Sequence, residues 1–192
     1  MKTVAVIASG PSLTQADCDL IEEAGIPAIA VNDSWRMARF AQIVFAGDGA
    51  WWDAHIGAVD IPAARWTSAQ PAAERYGLNR YPWAGEYNSG ALAVQLAAIQ
   101  GAERAILIGA DCSIARGLHW HGPHEKTKNP TADRVRLWHQ HYAQAGAIAA
   151  AGGCEVVNCS RHTDLTCFPV RNLESEIERF NRDLAVARQS AV

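Results

Sequence analysis

Short apolar runs alternate with longer helical stretches along the whole chain. Residues 3–8 (Thr-Val-Ala-Val-Ile-Ala) form a strand-length, β-branched run. Ser9-Gly10-Pro11-Ser12 interrupts it, and residues 13–24 then read as a helix. Further apolar runs at 28–31, 43–46, 105–108 and 155–157 predict strands, and 65–68 predicts a minor one. Between them the pattern predicts a short helix over 51–55, an apolar helix over 91–100 and a long helix from the Thr131 cap to 151. A last amphipathic helix is expected over about 173–190. Residues 69–86, with Pro71, Gly77, Pro82 and Gly85, read as loop, and a polar, His-rich loop spans 113–130.

Uniformly apolar strands alternating with helices predict a single α/β domain over residues 1–192, Rossmann-like, with a mostly parallel sheet covered by helices on both faces. Right-handed crossovers bring the carboxyl ends of the strands to one edge. Small and polar residues recur there: Gly10 to Ser12, Asn32-Asp33, Gly47-Asp48 and Asp111. That recurrence predicts a binding crevice. The turn after the first strand is either a phosphate site, at the positive end of a helix dipole, or a tight connector. It carries neither the Gly-Lys pair of a P-loop nor the G-x-G-x-x-G fingerprint.

Composition narrows the partners. The chain is 49% hydrophobic and 19% charged with a net charge of −3, which argues for a folded protein and against duplex nucleic acid as partner. No run of 18 apolar residues exists to span a membrane, and the amino terminus lacks a signal-peptide pattern. Five cysteines, none in C-x-x-C, fit reduced thiols in a cytoplasmic protein better than a disulfide framework.

Three segments carry a family likeness: A-S-G-P-S-L at 8–13, the block from Asn88-Ser89-Gly90 to Gly109-Ala110-Asp111, and V-N-C-S-R-H-T-D-L at 157–165. Together they resemble the Rossmann-like superfamily that holds the bacterial sialyltransferases of glycosyltransferase family 42 and the archaeal 6-hydroxymethylpterin diphosphokinase-like proteins. The overall size is similar to small stand-alone versions carried by phages and prophages. The resemblance implies a transferase with a nucleotide-activated donor, a CMP-sugar, and a small-molecule or glycan hydroxyl as acceptor. It implies no required cofactor and a histidine base. It places the nucleotide against Gly10, Pro11 and Ser12, Asn32, Ser89 and Gly90, with Asn158, Ser160 and Thr163 near the base or ribose; Ser9, Asp48, Asn88 and Asp111, at the same edge, complete the expected nucleotide site. Three departures stand out: Ala8-Ser9 replaces the usual Gly-x before Gly-Pro-Ser, Gly47-Asp48 replaces the asparagine after the third strand, and Cys112-Ser113 offers no tyrosine for the leaving phosphate.

The densest chemistry is His119-Trp120-His121-Gly122-Pro123-His124. An imidazole titrating near neutrality suits a general base, and the resemblance, by the spacing before Lys126-Thr127-Lys128-Asn129, implies His124 first and His121 second. The H-x-H-x-x-H spacing also suits zinc, and a solvated loop is the plain alternative. Asp48 and Asp111 invite two readings as well: Mg²⁺ ligands, as a diphosphokinase would need, or capping and loop-ordering groups. Trp51, Trp52, Trp83 and Trp120 near the edge can stack on a sugar or base, or anchor loops. A non-catalytic nucleotide-binding or interaction module and a homo-oligomer remain open alternatives.

Overall fold

The computed structural model describes residues 2–85, 87–127 and 129–189. Seven parallel strands form one sheet: β1 (Thr3–Ile7), β2 (Ala28–Val31), β3 (Ile43–Phe45), β4 (Ala64–Thr67), β5 (Asn79–Arg80), β6 (Arg104–Ile108) and β7 (Glu155–Asn158). Their spatial order is β5-β4-β3-β2-β1-β6-β7. The chain therefore builds outward from β1 in one direction and then crosses back to β6 on its other side. The switch point lies between β1 and β6, where α/β sheets open a crevice.

The helices are α1 (Gln15–Glu23), α2 (Gly49–His55), α3 (Gln70–Tyr76), α4 (Ser89–Ile99), α5 (Ala132–Ala151) and α6 (Leu173–Gln189). Alternation along β1 divides the core between the two faces. Val4, Val6 and Ala8 point into the cluster under α4 and α5, while Ala5 and Ile7 meet α1, α2 and α6. Helix α4 is buried from Gly90 through Ala97, so its apolar residues encircle it. Burying Leu92, Val94 and Leu96 stabilises the fold by about 1.5–3 kcal/mol each. In α6 the stripe Leu173, Ile177, Phe180 and Leu184, at helical spacing, faces the sheet. Among the described residues no helix is long and apolar enough to cross a membrane, and all five cysteines are free thiols. Cys154 and Cys159, on either side of β7, are buried packing residues.

Two expectations need correction. Helix α1 begins at Gln15, not at 13, because Thr14 is its cap: the Thr14 side chain accepts from the Asp17 N–H and the Asp17 carboxylate accepts from the Thr14 N–H. Ser12 stands outside the helix. The segment 69–86 is not all loop, since it holds α3 and the edge strand β5. Pro71 sits in the first turn of α3 and Gly77, with φ of 64°, terminates it, so the residues that look like loop punctuation mark a helix start and stop.

One buried charge holds the far side together. Arg104, at the start of β6, has no exposed surface and lies 3.4 Å from Glu155, 3.2 Å from Asp183 and 4.0 Å from Glu176. It joins β6, β7 and α6 by charge.

Candidate functional site

Strands β1 and β6 run in register, with Ile7 opposite Ile108, so their carboxyl ends finish level. A cavity of about 670 Å³ opens there, closed on its other sides by the start of α4, the His-rich loop and the start of α5. Of the residues expected at a nucleotide, Ser9, Gly10, Pro11, Asn32, Asp48, Asn88, Ser89, Gly90 and Asp111 line it, together with His124. Ser12, His121, Asn158 and Ser160 do not.

The Gly-Pro-Ser turn is tied down by its own chain. The Gly10 N–H donates to the Gly109 carbonyl at 2.7 Å and the Leu13 N–H to the Gly10 carbonyl at 3.1 Å. Ser12 donates twice to Asp111, from its N–H at 3.1 Å and its hydroxyl at 2.7 Å. These three N–H groups are therefore engaged within the protein. A Cβ on Gly10 would strike the Asp111 carboxylate and stand 2.5 Å from the Gly109 carbonyl oxygen, so glycine is needed for the approach of β1 to β6. Burial pushes the Asp111 carboxyl above its usual range even though the Ser12 bonds pull it down.

The α4 start supplies the opposite wall. The Asn88 side chain caps it by accepting from the Ala91 N–H, and the Ser89 hydroxyl accepts from the Gly47 N–H at the end of β3. Gly90 admits Tyr142 of α5, whose hydroxyl occupies the place a Cβ would take. The positive end of the α4 dipole thus borders the cavity. Arg134, in the first turn of α5, lines it too and had no place in the sequence reading.

Asn32 (φ 51°) and Cys112 (φ 49°) are the non-glycine residues in the left-handed region among those described. Both line the cavity, at the ends of β2 and β6. Such conformations cost about 1–3 kcal/mol each and concentrate at ligand sites.

Asp48 and Asp111 take the capping and loop-ordering roles. Asp48 caps α2 by accepting from the Ala50 N–H at 2.9 Å, and Asp111 staples the first turn. Asn158, Ser160 and Thr163 form a clamp behind the cavity. Asn158 donates to the Thr163 hydroxyl at 2.9 Å and accepts from the Ser160 N–H at 3.0 Å. Ser160 and Thr163 bind the N–H and carbonyl of Ala110, which fixes the backbone leading into Asp111. Trp52 is a core anchor, fully buried and bonded to the Ala46 carbonyl.

The histidine loop folds over the end of β1. The Trp120 N–H donates to the Ser9 carbonyl, and the Ser9 hydroxyl lies 3.3 Å from His119 Nδ1. His119, His121 and His124 collapse into one cluster with ring centroids 4.2–5.1 Å apart. Burial is the main cause that lowers His119 to about 4, helped by its neighbours His124 and His121. Burial and then His121 likewise lower His124, against the pull of Asp33. Both rings are therefore neutral at pH 7 and hold a lone pair for a proton.

Asp33 faces this cluster from the 3-10 turn Asn32–Arg36 that follows β2. Its carboxylate accepts from Trp51 Nε1 at 3.0 Å and Arg36 Nε at 3.3 Å. It lies 3.9 Å from His124 Nδ1 and 4.0 Å from His121 Nε2 and His55 Nδ1. Burial raises this carboxyl, but the Trp51 bond, His55, Arg36 and His121 together hold it below the usual carboxylate value. The sequence signal for Asp33 was its place at a strand end.

No protein-family model, curated protein or solved structure matches this chain.

Proposed function

We propose that the protein is a transferase that binds a nucleotide-activated donor, a CMP-sugar by the resemblance, and passes its glycosyl group to an acceptor hydroxyl. The observation that carries this reading is that His124 and the first turn of α4 line one cavity at the switch point of a parallel sheet. A volume of about 670 Å³ suits a small-molecule site. The α4 dipole and Arg134 favour the anionic phosphate, and the neutral His124 imidazole accepts the acceptor's proton. As that O–H bond breaks, the oxygen bonds to the anomeric carbon, and the bond from that carbon to the phosphate oxygen breaks. Its electron pair leaves with the nucleotide, whose charge the helix start and Arg134 stabilise. Asp33 stands where it can offset the positive charge that His124 gains.

The Mg²⁺-dependent diphosphokinase alternative has less support. Both of its candidate ligands, Asp48 and Asp111, already accept bonds that order their own loops.

Thermal melts of chelator-treated protein with cytidine, uridine, guanosine and adenosine nucleotides test the reading. Cytidine monophosphate is expected to raise the midpoint without Mg²⁺, by a stabilisation of about 2.7 kcal/mol at a hundredfold excess over Kd. His124→Ala should keep that shift and lose roughly 10²–10⁴-fold in transfer. A response confined to Mg²⁺ with adenosine triphosphate would favour the diphosphokinase, and no response to any nucleotide would leave an interaction module.

A further inference from the structure

We propose that His119, His121 and His124 form a binding site for one divalent transition-metal ion of the zinc class, with the Asp33 carboxylate beside it. One nitrogen from each of the three rings lies within 4.8 Å of the other two. Tetrahedral zinc at 2.0–2.1 Å from each nitrogen needs them about 3.4 Å apart, so each ring has to move by roughly 1 Å. The loop can make that adjustment at Gly122-Pro123, which lies between the second and third histidines.

A second observation points the same way. His119 Nε2 and His121 Nε2 are both buried with no hydrogen-bond partner among the described residues. A buried polar atom left unpaired is destabilising, and an ion at the lone pair would offset that cost. His119 is already oriented for this: the Ser9 hydroxyl sits at Nδ1, and a donor bond from Nδ1–H to that oxygen leaves the Nε2 lone pair outward. Asp33 Oδ2, 3.9–4.0 Å from nitrogens of His124 and His121, places a negative charge beside the ion. Trp51 and Arg36 fix that carboxylate in turn. A set of three imidazoles with an adjacent carboxylate suits zinc and its first-row neighbours, whereas Mg²⁺ and Ca²⁺ prefer oxygen alone. His119 and His124 also line the cavity, so the ion's remaining position opens to it.

The site stands on the imidazole geometry whether or not the cavity takes a nucleotide. One consequence rests on the transfer reading: a bound ion occupies the lone pair that His124 needs as a base, so zinc should inhibit transfer and a chelator should restore it.

The test is calorimetric titration of the chelator-stripped full chain with Zn²⁺, alongside the visible spectrum with Co²⁺. One ion per chain is expected, with tetrahedral cobalt bands. His119→Gln and His121→Gln should each weaken zinc by more than about 100-fold, since losing even an outer-shell partner of a ligand costs 10–100-fold. Either variant's fold is checked by its unchanged circular dichroism in chelator. Losses under tenfold in both variants, or absence of saturable zinc binding and of tetrahedral cobalt bands in the parent, would overturn the site. Because cobalt spectra are read on the parent, a variant that fails to fold leaves the test intact. Nucleotide-dependent melting is measured separately, so failure of the transfer reading and failure of the metal site are distinguishable.

Discussion

Replacing Asp111 by alanine removes the acceptor for two buried donors at once. Ser12 is 8% exposed, and both its N–H and its hydroxyl end on the Asp111 carboxylate. A buried donor left unsatisfied costs about 1–3 kcal/mol, so the pair is worth roughly 2–6 kcal/mol. The carboxylate itself is held against its desolvation, since burial raises its pKa, and deleting it returns part of that sum. The net loss expected for Asp111→Ala is about 3 kcal/mol. Asp111→Asn keeps an acceptor for the Ser12 N–H and offers an amide donor to the Ser12 oxygen, so it should cost about 1 kcal/mol or less. Urea unfolding followed by the fluorescence of the seven tryptophans reads both variants. With a slope of about 2 kcal/mol/M, alanine should lower the midpoint by roughly 1.5 M and asparagine by no more than about 0.5 M. An unchanged midpoint for Asp111→Ala, or an equal drop for both variants, would refute the staple. It would return Asp111 to the pool of candidate metal ligands, which can be removed without loss of stability.

Other positions give independent checks. Arg104→Ala removes the buried cation that Glu155, Asp183 and Glu176 share and leaves Glu176 only the more exposed Arg171 and Arg179, so it should lower stability by about 1.5–3 kcal/mol, measured by the same urea titration. Trp51→Phe keeps the aromatic packing but removes the 3.0 Å bond to the Asp33 carboxylate, and should cost about 1.5–3 kcal/mol in the same assay. Thr14→Ala removes the α1 cap and should cost about 0.5–2 kcal/mol, without changing the melting shift that a nucleotide produces.

Most of the sheet was legible because parallel strands buried on both faces read as unbroken apolar runs. Strand β5 was not: Asn79-Arg80 is two exposed residues that pair at the sheet edge and carry no apolar signal. The helix read over 13–24 starts two residues later, because the T-x-x-D box at Thr14 and Asp17 sets its first turn. At the site, the spacing of the histidines was visible, and so was the recurrence of polar residues at strand ends. The meeting of Asp33 with the histidines was invisible, because it depends on a loop after β6 folding back across β1 to reach the end of β2. Asn158 and Ser160 show the opposite limit. They were assigned to the nucleotide by resemblance, and their polar atoms are used to hold β7 against the Ala110 backbone.

The central claim, a nucleotide site at the carboxyl edge of β1 and β6, is tested most directly by calorimetric titration of cytidine monophosphate into chelator-treated protein. The account predicts saturable binding at one site per chain, with a Kd on the order of 10–100 μM. Ser113→Trp, which fills the cavity from its wall, should abolish that binding while leaving the unfolding free energy within about 0.5 kcal/mol of the parent. Absence of saturable heat with cytidine, uridine, guanosine and adenosine nucleotides alike, or equal binding by Ser113→Trp, would contradict it.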